Sequence, residues 1–211
     1  MKYTHLIWDF NGTVLDDVEI GIASANALLA RCGLSPIPSV EYYRSVFGFP
    51  VRDYYRRLGI DFSKTSFEEL APIWVEEYLS RVDKASLYDG VLETLVQLKR
   101  KGVRQILLSA TEIDMLKGQL EALGIESYFD GIFGADNIHA SSKKKQAEMW
   151  CLENPSAKPL FFGDTNHDFE VAEAVGGDCI LFSGGHQSEE RLLEIGCPVV
   201  RRISDIVSYF S

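Results

Sequence analysis

A short apolar run near the amino terminus ends on an aspartate. Residues 4–8 read Thr-His-Leu-Ile-Trp, Asp9 follows directly, and Asn11, Gly12 and Thr13 form a turn after it. A buried strand that ends on a carboxylate is typical of an open α/β sheet, in which ligands bind at the carboxyl ends of the strands. This segment therefore predicts both the fold class and the edge of the sheet that carries the chemistry.

The second half of the chain alternates short apolar strands with helical patterns. Alternation at this spacing predicts parallel strands joined by right-handed crossovers, hence an α/β fold with a doubly wound parallel sheet, Rossmann-like, and helices on both faces. The predicted strands are residues 4–8, 104–108, 131–133, 159–162, 178–182 and 198–200. The predicted helices between and after them are residues 91–101, 113–123, 143–153, 168–175, 189–195 and 204–209.

The stretch between residues 16 and 86 interrupts this alternation. It reads as four helices, residues 18–31, 39–46, 51–58 and 66–82, separated by glycine and proline. We therefore expect an α/β core of residues 1–15 and 87–211, and an all-helical cap of residues 16–86 inserted after the first strand. Because the chain leaves and re-enters at the carboxyl edge of the sheet, the cap should lie over the site and close on a small substrate.

Composition narrows the class of ligand. The chain has 211 residues, 46% hydrophobic and 25% charged, with a formal net charge of −10, which is typical of a globular protein with a sizeable core. The acidic balance argues against a general affinity for nucleic acid or for an anionic membrane. The first residues lack the pattern of a signal peptide, and no apolar run is long enough to span a bilayer. We therefore expect a cytoplasmic protein that binds a small molecule.

A second strand also ends on an acidic group. Gly163 and Asp164 follow the strand at 159–162, and Asp168 comes four residues later at the start of a helix. Together with Asp9 across the sheet, these carboxylates would supply the oxygen ligands that Mg²⁺ prefers, and three neighbouring like charges would need a cation. The alternative is that Asp168 or Asn166 only caps the helix, which leaves Asp164 unexplained.

Two weaker signals lie between these segments. Ser109 follows the strand at 104–108 and could donate a hydrogen bond to a phosphoryl oxygen, although a serine in such a place is often only a helix cap. The lysine run 143–145 is the densest positive stretch. A lysine near Asp9 would neutralise its charge and bind phosphate, whereas such a run by itself is more often a solvated helix face. Their order behind Asp9 and ahead of Asp164 gives both signals weight.

In that order these residues resemble the four motifs of the haloacid dehalogenase superfamily, and the resemblance covers nearly the whole chain. The helical insertion resembles the cap of its phosphoglycolate-phosphatase-like branch. The resemblance implies a Mg²⁺-dependent phosphatase that acts on a small, phosphoglycolate-like metabolite. In such an enzyme Asp9 would attack phosphorus to give an aspartyl-phosphate, which water then hydrolyses.

The resemblance also implies roles for individual residues. The metal ligands would be Asp9, the backbone carbonyl of Asn11, and Asp164, with Asp168 in support. The catalytic and phosphoryl-binding residues would be Asp9, Asn11, Gly12, Thr13, Ser109, Ala110 and Lys143. We prefer Lys143 over the other two lysines because it comes first after the turn of Ser141 and Ser142. From the cap, Arg52 is the candidate that would point toward the substrate.

Asn11 departs from the family pattern. The residue at this place is usually an aspartate that protonates the leaving oxygen and then activates water. An amide can do neither, and such help is typically worth about a hundred- to ten-thousand-fold in rate. Its loss should slow the hydrolysis of alkyl phosphates most, and that of substrates with good leaving groups less.

Three hypotheses follow from this exchange. The first is a phosphatase whose proton comes from another carboxylate, such as Asp16, Asp17 or a cap residue, or whose substrate needs none. The second is a dehalogenase-like hydrolase that acts on a carbon-linked leaving group, and the third is a catalytically impaired protein that binds a phosphorylated metabolite, or a receiver-like signalling domain. The pattern of a metal site favours the first. We expect Asp16 and Asp17 to cap the helix that starts at residue 18.

Overall fold

The computed structural model describes residues 2–135 and 143–211. Its strands are β1 (His5–Trp8), β2 (Leu15–Asp16), β3 (Ser86–Leu87), β4 (Arg104–Glu112), β5 (Gly131–Ala135), β6 (Pro159–Gly163), β7 (Asp178–Phe182) and β8 (Val199–Val200). Six of them form one parallel sheet in the order β5-β4-β1-β6-β7-β8, and β2 pairs with β3 in a separate antiparallel ribbon. The predicted doubly wound parallel sheet is confirmed.

The helices follow the predicted pattern closely. They are α1 (Val18–Arg31), α2 (Val40–Val46), α3 (Val51–Arg57), α4 (Phe67–Leu79), α5 (Val91–Arg100), α6 (Ile113–Leu123), α7 (Lys143–Glu153), α8 (Asn166–Ala174) and α9 (Glu189–Leu193). The last segment, Ile203–Phe210, is a 3₁₀ helix. It buries Ile203 and Ile206, a spacing that matches three residues per turn. In the described part of the chain, no helix combines the length and apolarity needed to cross a lipid bilayer.

The side chains of the central strands explain why helices cover both faces of the sheet. Successive residues of a strand point to opposite faces. Trp8 and Phe162 are partners across β1 and β6 and belong to one hydrophobic cluster, whereas their neighbours Ile7 and Phe161 belong to another. A parallel sheet that is apolar on both sides must be covered on both sides, and the crossover helices supply that cover.

The strand order brings the polar strand ends together. β1 lies between β4 and β6, so residues that follow these three strands meet at one edge. β4 continues through Glu112, beyond the predicted end at residue 108, and its register with β5 shifts between Leu108 and Glu112. This irregularity is typical of a bulge, which bends a strand and redirects its side chains. Ser109 therefore lies within β4 and not after its end.

Helices α1 to α4, residues 18–79, form what we call the helical unit. They share a hydrophobic cluster of their own, built around Leu28, Tyr43 and Tyr54, and a capping box of Ser66 and Glu69 begins α4. The chain enters and leaves the unit through β2 and β3, which pair directly. The two crossings therefore lie side by side at the carboxyl edge of the main sheet.

A substitution in the sheet-covering core tests this assignment. Leu95 of α5 is fully buried against the sheet, so Leu95→Ala should lower the free energy of unfolding by about 2–5 kcal/mol. The matched control is Leu152→Ala in α7, whose side chain is 81% exposed and which should change stability by less than about 0.5 kcal/mol. Urea unfolding followed by circular dichroism measures both, and equal losses would contradict the assigned core.

Candidate active site at the carboxyl edge of the sheet

Three carboxylates meet at the carboxyl ends of β1 and β6. Asp9, Asp164 and Asp168 each offer an oxygen, and these atoms lie within 4.8 Å of one another. The Asp9 backbone N–H donates to the Phe162 carbonyl at 2.8 Å, which extends the contact between β1 and β6 up to the site. The structure thus brings together the three acidic residues that the sequence singled out.

Lys143 enters the middle of this acidic cluster. Its Nζ donates to Asp9 Oδ1 and to Asp168 Oδ1, each at 2.5 Å, and the side chain is only 5% exposed. Lys144 and Lys145 are exposed, so the first lysine of the run is the one that faces the site. Ser141 and Ser142, on which that choice rested, lie outside the described residues.

The ammonium and the carboxylates shift one another's pKa. Burial, partly offset by Lys143, raises the pKa of Asp9 to about 6. Burial would lower the pKa of Lys143, but Asp168 and Asp9 raise it above its usual value, so the lysine stays charged. For Asp168, Lys143 outweighs the effect of burial and holds the pKa below its usual range. Near neutral pH the charged form of these ion pairs therefore predominates.

Asp168 is satisfied almost entirely by the protein. One oxygen accepts from Lys143, and the other accepts from the Asp164 N–H (3.1 Å), the Thr165 N–H (3.0 Å) and the Thr165 hydroxyl (2.8 Å). With Thr165 it forms the capping box that starts α8. The helix-cap alternative for Asp168 is thus correct in part, since the same carboxylate caps α8 and orients Lys143.

Asp164 differs because its hydrogen bonds within the described part of the chain come from Thr13 and His186. Its oxygens accept from the Thr13 hydroxyl at 3.3 Å and from the His186 backbone N–H at 2.6 Å. Burial, together with Asp9 and Asp168, raises the pKa of this carboxyl well above its usual value, despite the opposing effect of His186. A divalent cation at this place would favour the ionised form of Asp164, and the oxygen donors of the cluster suit Mg²⁺.

The Asn11 amide lies in a closed hydrogen-bond network. Its Nδ2 donates to Asp17 Oδ2 and to the Tyr78 hydroxyl, each at 2.8 Å. Its Oδ1 accepts from the Thr111 hydroxyl at 2.7 Å. Tyr78 belongs to α4 and Thr111 to β4, so Asn11 connects the edge of the sheet with the helical unit.

Asp17 does not cap α1, contrary to the expectation from sequence. It occupies the cap position, but its side chain is buried and makes no cap hydrogen bond. It accepts instead from the Gly12 N–H (2.9 Å) and the Tyr78 hydroxyl (2.8 Å), and His186 Nε2 lies 3.2 Å away. Burial opposes ionisation, but His186 and the hydrogen bonds from Asn11 and Tyr78 hold the pKa of Asp17 below its usual value. Asp16 is exposed in β2.

A loop after β7 completes the site, although none of its residues was identified from the sequence. In this loop, the His186 backbone binds Asp164, while its imidazole lies between Asp17 and the Tyr43 hydroxyl, which is 2.8 Å from Nδ1. Burial would lower the pKa of His186, but Asp17 raises it to about 9. The available signal was a Gly-Gly-His-Gln turn directly after a buried strand of the same sheet, the kind of signal that identified Asp164.

The helical unit is fastened to this loop. Arg44 of α2 donates to the carbonyls of Gly185 (2.8 Å) and Gly184 (2.5 Å). In the opposite direction, Arg191 of α9 donates to the Phe47 carbonyl. These contacts hold the unit against the loop at the carboxyl edge of the sheet.

The residues predicted to contact a phosphoryl group lie at this edge, and each has its own contacts within the protein. Gly12 adopts a φ of 76°, and a methyl group there would overlap Asp164 and His186, so the turn needs glycine. The Thr13 hydroxyl binds Asp164, as described above. The Ser109 hydroxyl is buried and accepts from the Thr111 N–H at 3.0 Å. Ala110, by contrast, is exposed.

Arg52 is not brought to the site, which corrects the expectation from sequence. Its guanidinium pairs with Glu68 at 2.6 Å and lies over the rings of Phe62 and Phe67. These partners belong to the helical unit itself, and the Arg52 side chain is 44% exposed. The guanidinium thus has a carboxylate and two aromatic faces as partners within the same unit, and Arg52 lies on the outer surface of that unit.

Comparison with known proteins agrees with this geometry. The sequence model of haloacid dehalogenase-like hydrolases matches residues 6–182, and the chain belongs to this family. Phosphoglycolate phosphatase 1 of Pseudomonas aeruginosa is 26% identical over 200 residues, which are 90% of this chain and 72% of that protein. Tyrosine-protein kinase PtkA of Mycobacterium bovis is 25% identical over 205 residues, 95% of this chain and 69% of that protein.

A solved structure gives the same result for the fold. A haloacid dehalogenase-like family hydrolase from Streptococcus pneumoniae superposes with a TM-score of 0.84 at 19% identity. The match covers 100% of this chain and 99% of that chain. The two proteins therefore share the sheet and the helices that surround it.

Gly163→Ala tests the close approach of β6 to Asp168. A methyl group at this position would overlap the Asp168 carboxylate, so we expect the free energy of unfolding to fall by about 1–3 kcal/mol. The control is Gly118→Ala in α6, where an added methyl meets nothing within 4 Å and helix propensity should raise stability by up to about 1 kcal/mol. Chemical denaturation measures both variants. Unchanged stability of Gly163→Ala would contradict the packing described for this strand end.

Proposed function

We propose that the protein is a Mg²⁺-dependent phosphatase that hydrolyses a small phosphorylated metabolite through an aspartyl-phosphate on Asp9. The observation that carries this proposal is the buried ammonium of Lys143, which contacts Asp9 and Asp168 beside Asp164. Phosphoryl transfer needs a nucleophile, cation ligands and a positive group for the phosphoryl oxygens. The cluster supplies all three at one edge of the sheet.

Exposure supports Asp9 as the nucleophile. Its side chain is 13% exposed, whereas Asp164 and Asp168 are buried, so Asp9 is the carboxylate of the cluster that a substrate can reach. With a pKa of about 6 it is ionised at neutral pH. Lys143 fixes one of its oxygens, which orients the carboxylate for attack on phosphorus.

The remaining groups hold the charges in place. Mg²⁺, when bound, would be held by Asp9, Asp164 and the Asn11 carbonyl, and it would neutralise charge on the phosphoryl oxygens. Asp164 is oriented for this role by the Thr13 hydroxyl and the His186 N–H. Because Asp168 already accepts four hydrogen bonds from the protein, its proposed role is to support the site by fixing Lys143.

Three observations support a small phosphorylated substrate. The helical unit is fastened at the carboxyl edge through Arg44 and Arg191, and the Asp9 side chain is only 13% exposed. Among the contacts of the described residues, the Ser109 hydroxyl acts only as an acceptor, so its proton can go to a phosphoryl oxygen. The named activity of the Pseudomonas aeruginosa relative, phosphoglycolate phosphatase, fits a substrate of this size.

The dehalogenase alternative uses the same nucleophile but not the acidic cluster. Attack of Asp9 on a carbon centre would need no divalent cation, and the buried Asp164 carboxylate would then have no function. Asp164 is fully buried beside the Asp9 and Asp168 carboxylates, and such close like charges are unfavourable without a cation. The cluster therefore supports phosphoryl chemistry.

Asp9→Asn tests the proposed nucleophile. The amide cannot form the aspartyl-phosphate, so Mg²⁺-dependent phosphate release from a panel of phosphorylated metabolites should fall to the uncatalysed background. The matched control is Asp61→Asn, an exposed residue of the helical unit that pairs with Ser63 and Lys64 and should retain the activity of the parent. Undiminished release by the Asp9 variant would refute the assignment.

Metal removal gives two tests, and the second of them, a thermal shift, does not depend on turnover. A chelator should abolish phosphate release, and Mg²⁺ should raise the melting temperature of the metal-free protein, since a ligand at a hundred times its Kd stabilises a fold by about 2.7 kcal/mol. Asp164→Asn removes a proposed ligand and should eliminate this thermal shift, while Asp61→Asn should keep it. A full shift in the Asp164 variant would place the metal elsewhere.

A further inference from the structure

The Asn11 amide has no donor left for a substrate. A side-chain amide carries two N–H donors, and those of Asn11 are directed to Asp17 and to the Tyr78 hydroxyl, each at 2.8 Å. Its oxygen accepts from Thr111. The side chain that replaces the usual acid is therefore held by the protein on every side, and it can assist a leaving oxygen only by giving up one of these bonds.

The adjacent carboxylate is committed in the same way. An ionised carboxylate has about four acceptor sites. Asp17 accepts from Gly12, Asn11 and Tyr78, and His186 Nε2 lies 3.2 Å from its first oxygen. All of these partners belong to the protein, so Asp17 serves as the acceptor at the centre of the network and not as a proton donor toward a substrate.

The hydroxyl protons of the network are committed as well. The Tyr78 hydroxyl donates to Asp17 and accepts from Asn11, and the Thr111 hydroxyl donates to Asn11. The side-chain donor hydrogens of Asn11, Tyr78 and Thr111 thus each have an acceptor in the described part of the protein. The network keeps the helical unit and the sheet edge together, and these side chains direct their hydrogens to one another and not toward Asp9.

From this geometry we propose that the substrates of this protein are acyl phosphates, the mixed anhydrides of a carboxylic acid and phosphoric acid. The inference rests on the proposed phosphatase function and names the chemical class on which the same site acts. A carboxylate leaves as a stable anion and needs no proton, whereas an alkoxide does. A site that has a nucleophile and a cation cluster, and that shows no free acid beside Asn11 among the described residues, suits the first kind of leaving group.

The first step is balanced without an acid. An oxygen of Asp9 forms a bond to phosphorus while the bond from phosphorus to the acyl oxygen breaks. The electron pair of that bond stays on the departing carboxylate. The products are the aspartyl-phosphate and a free carboxylate, and no proton is taken up or released. Lys143 stays protonated throughout and holds the phosphoryl charge.

In the part of the chain that the structure describes, the network around Asn11 offers no base for the second step, just as it offers no acid for the first. Water attacks phosphorus, the bond from phosphorus to Asp9 breaks, and both water protons remain on the phosphate that leaves as the dihydrogen anion. Because nothing in the network around Asn11 accepts a proton from the water, this step is slow. The aspartyl-phosphate therefore accumulates during turnover.

The experiment compares acetyl phosphate with 2-phosphoglycolate, an acyl and an alkyl phosphate of similar size, at saturating Mg²⁺. Acyl phosphates are more reactive even without an enzyme, so the decisive quantity is how variants change the ratio of the two kcat/KM values. The double variant Asn11→Asp with Asp17→Ser moves the carboxylate from position 17 to position 11. The control is Leu152→Ala, a remote exposed site that should leave the ratio unchanged.

We expect the double variant to lower the acyl-to-alkyl ratio by about a hundred-fold or more, the usual worth of a positioned acid and base. The parent, mixed with acetyl phosphate and quenched in acid, should carry the mass of one added phosphoryl group, and Asp9→Asn should not. An unchanged ratio in an active double variant, or an acid-quenched parent without added mass, would overturn the inference.

Asp17→Asn covers the case in which the double variant does not fold. This substitution keeps the Asn11 amide and removes only the carboxylate, so we expect any loss to be shared by both substrates. A selective loss of phosphoglycolate hydrolysis would identify Asp17 as the acid and overturn the inference. If neither substrate is hydrolysed in an Asp9-dependent manner, the proposed function itself fails. Asp9-dependent hydrolysis with an unchanged ratio refutes only the leaving-group inference.

Discussion

The rest of the site depends on one buried ammonium. Lys143 lies 2.5 Å from both Asp9 and Asp168, and without its charge the carboxylates that follow β1 and β6 would repel one another at low dielectric. Asp168 uses its other oxygen to cap α8 with Thr165. The start of a helix, the position of the lysine and the ionisation of the proposed nucleophile are therefore linked in one set of contacts.

A second buried network, centred on Asp17, joins the helical unit to the core. It connects Asn11 with Tyr78 of α4 and, through His186, with Tyr43 of α2. The carboxylate that resembling phosphatases have at position 11 is thus replaced by an amide, and a carboxylate stands at position 17 in its place. The exchange ties the two units together, and under the proposed function it leaves the chemistry of the leaving group to decide which substrates react.

Much of this arrangement could be predicted from local pattern. Asp9 and Asp164 end buried strands on a parallel sheet, and such ends meet at one edge whatever the loops do. Lys143 could be chosen from its run only by position, and the structure decides it because the other two lysines are exposed. The sequence led us to expect Arg52 near the substrate, but its guanidinium pairs with Glu68 and lies over the Phe62 ring within the helical unit. Sequence spacing does not reveal that these partners are close by.

The sequence by itself determined the fold class, the edge of the sheet that carries the site and the acidic residues at that edge, because strand and helix periodicity and strand-end chemistry are local properties of the chain. Only the tertiary structure decided what Asp17 does. An aspartate at the start of a helix usually caps that helix. Here the Asp17 carboxylate is instead directed toward His186 and the Tyr78 hydroxyl. Those donors come from segments far away in sequence, and their proximity exists only in the folded chain.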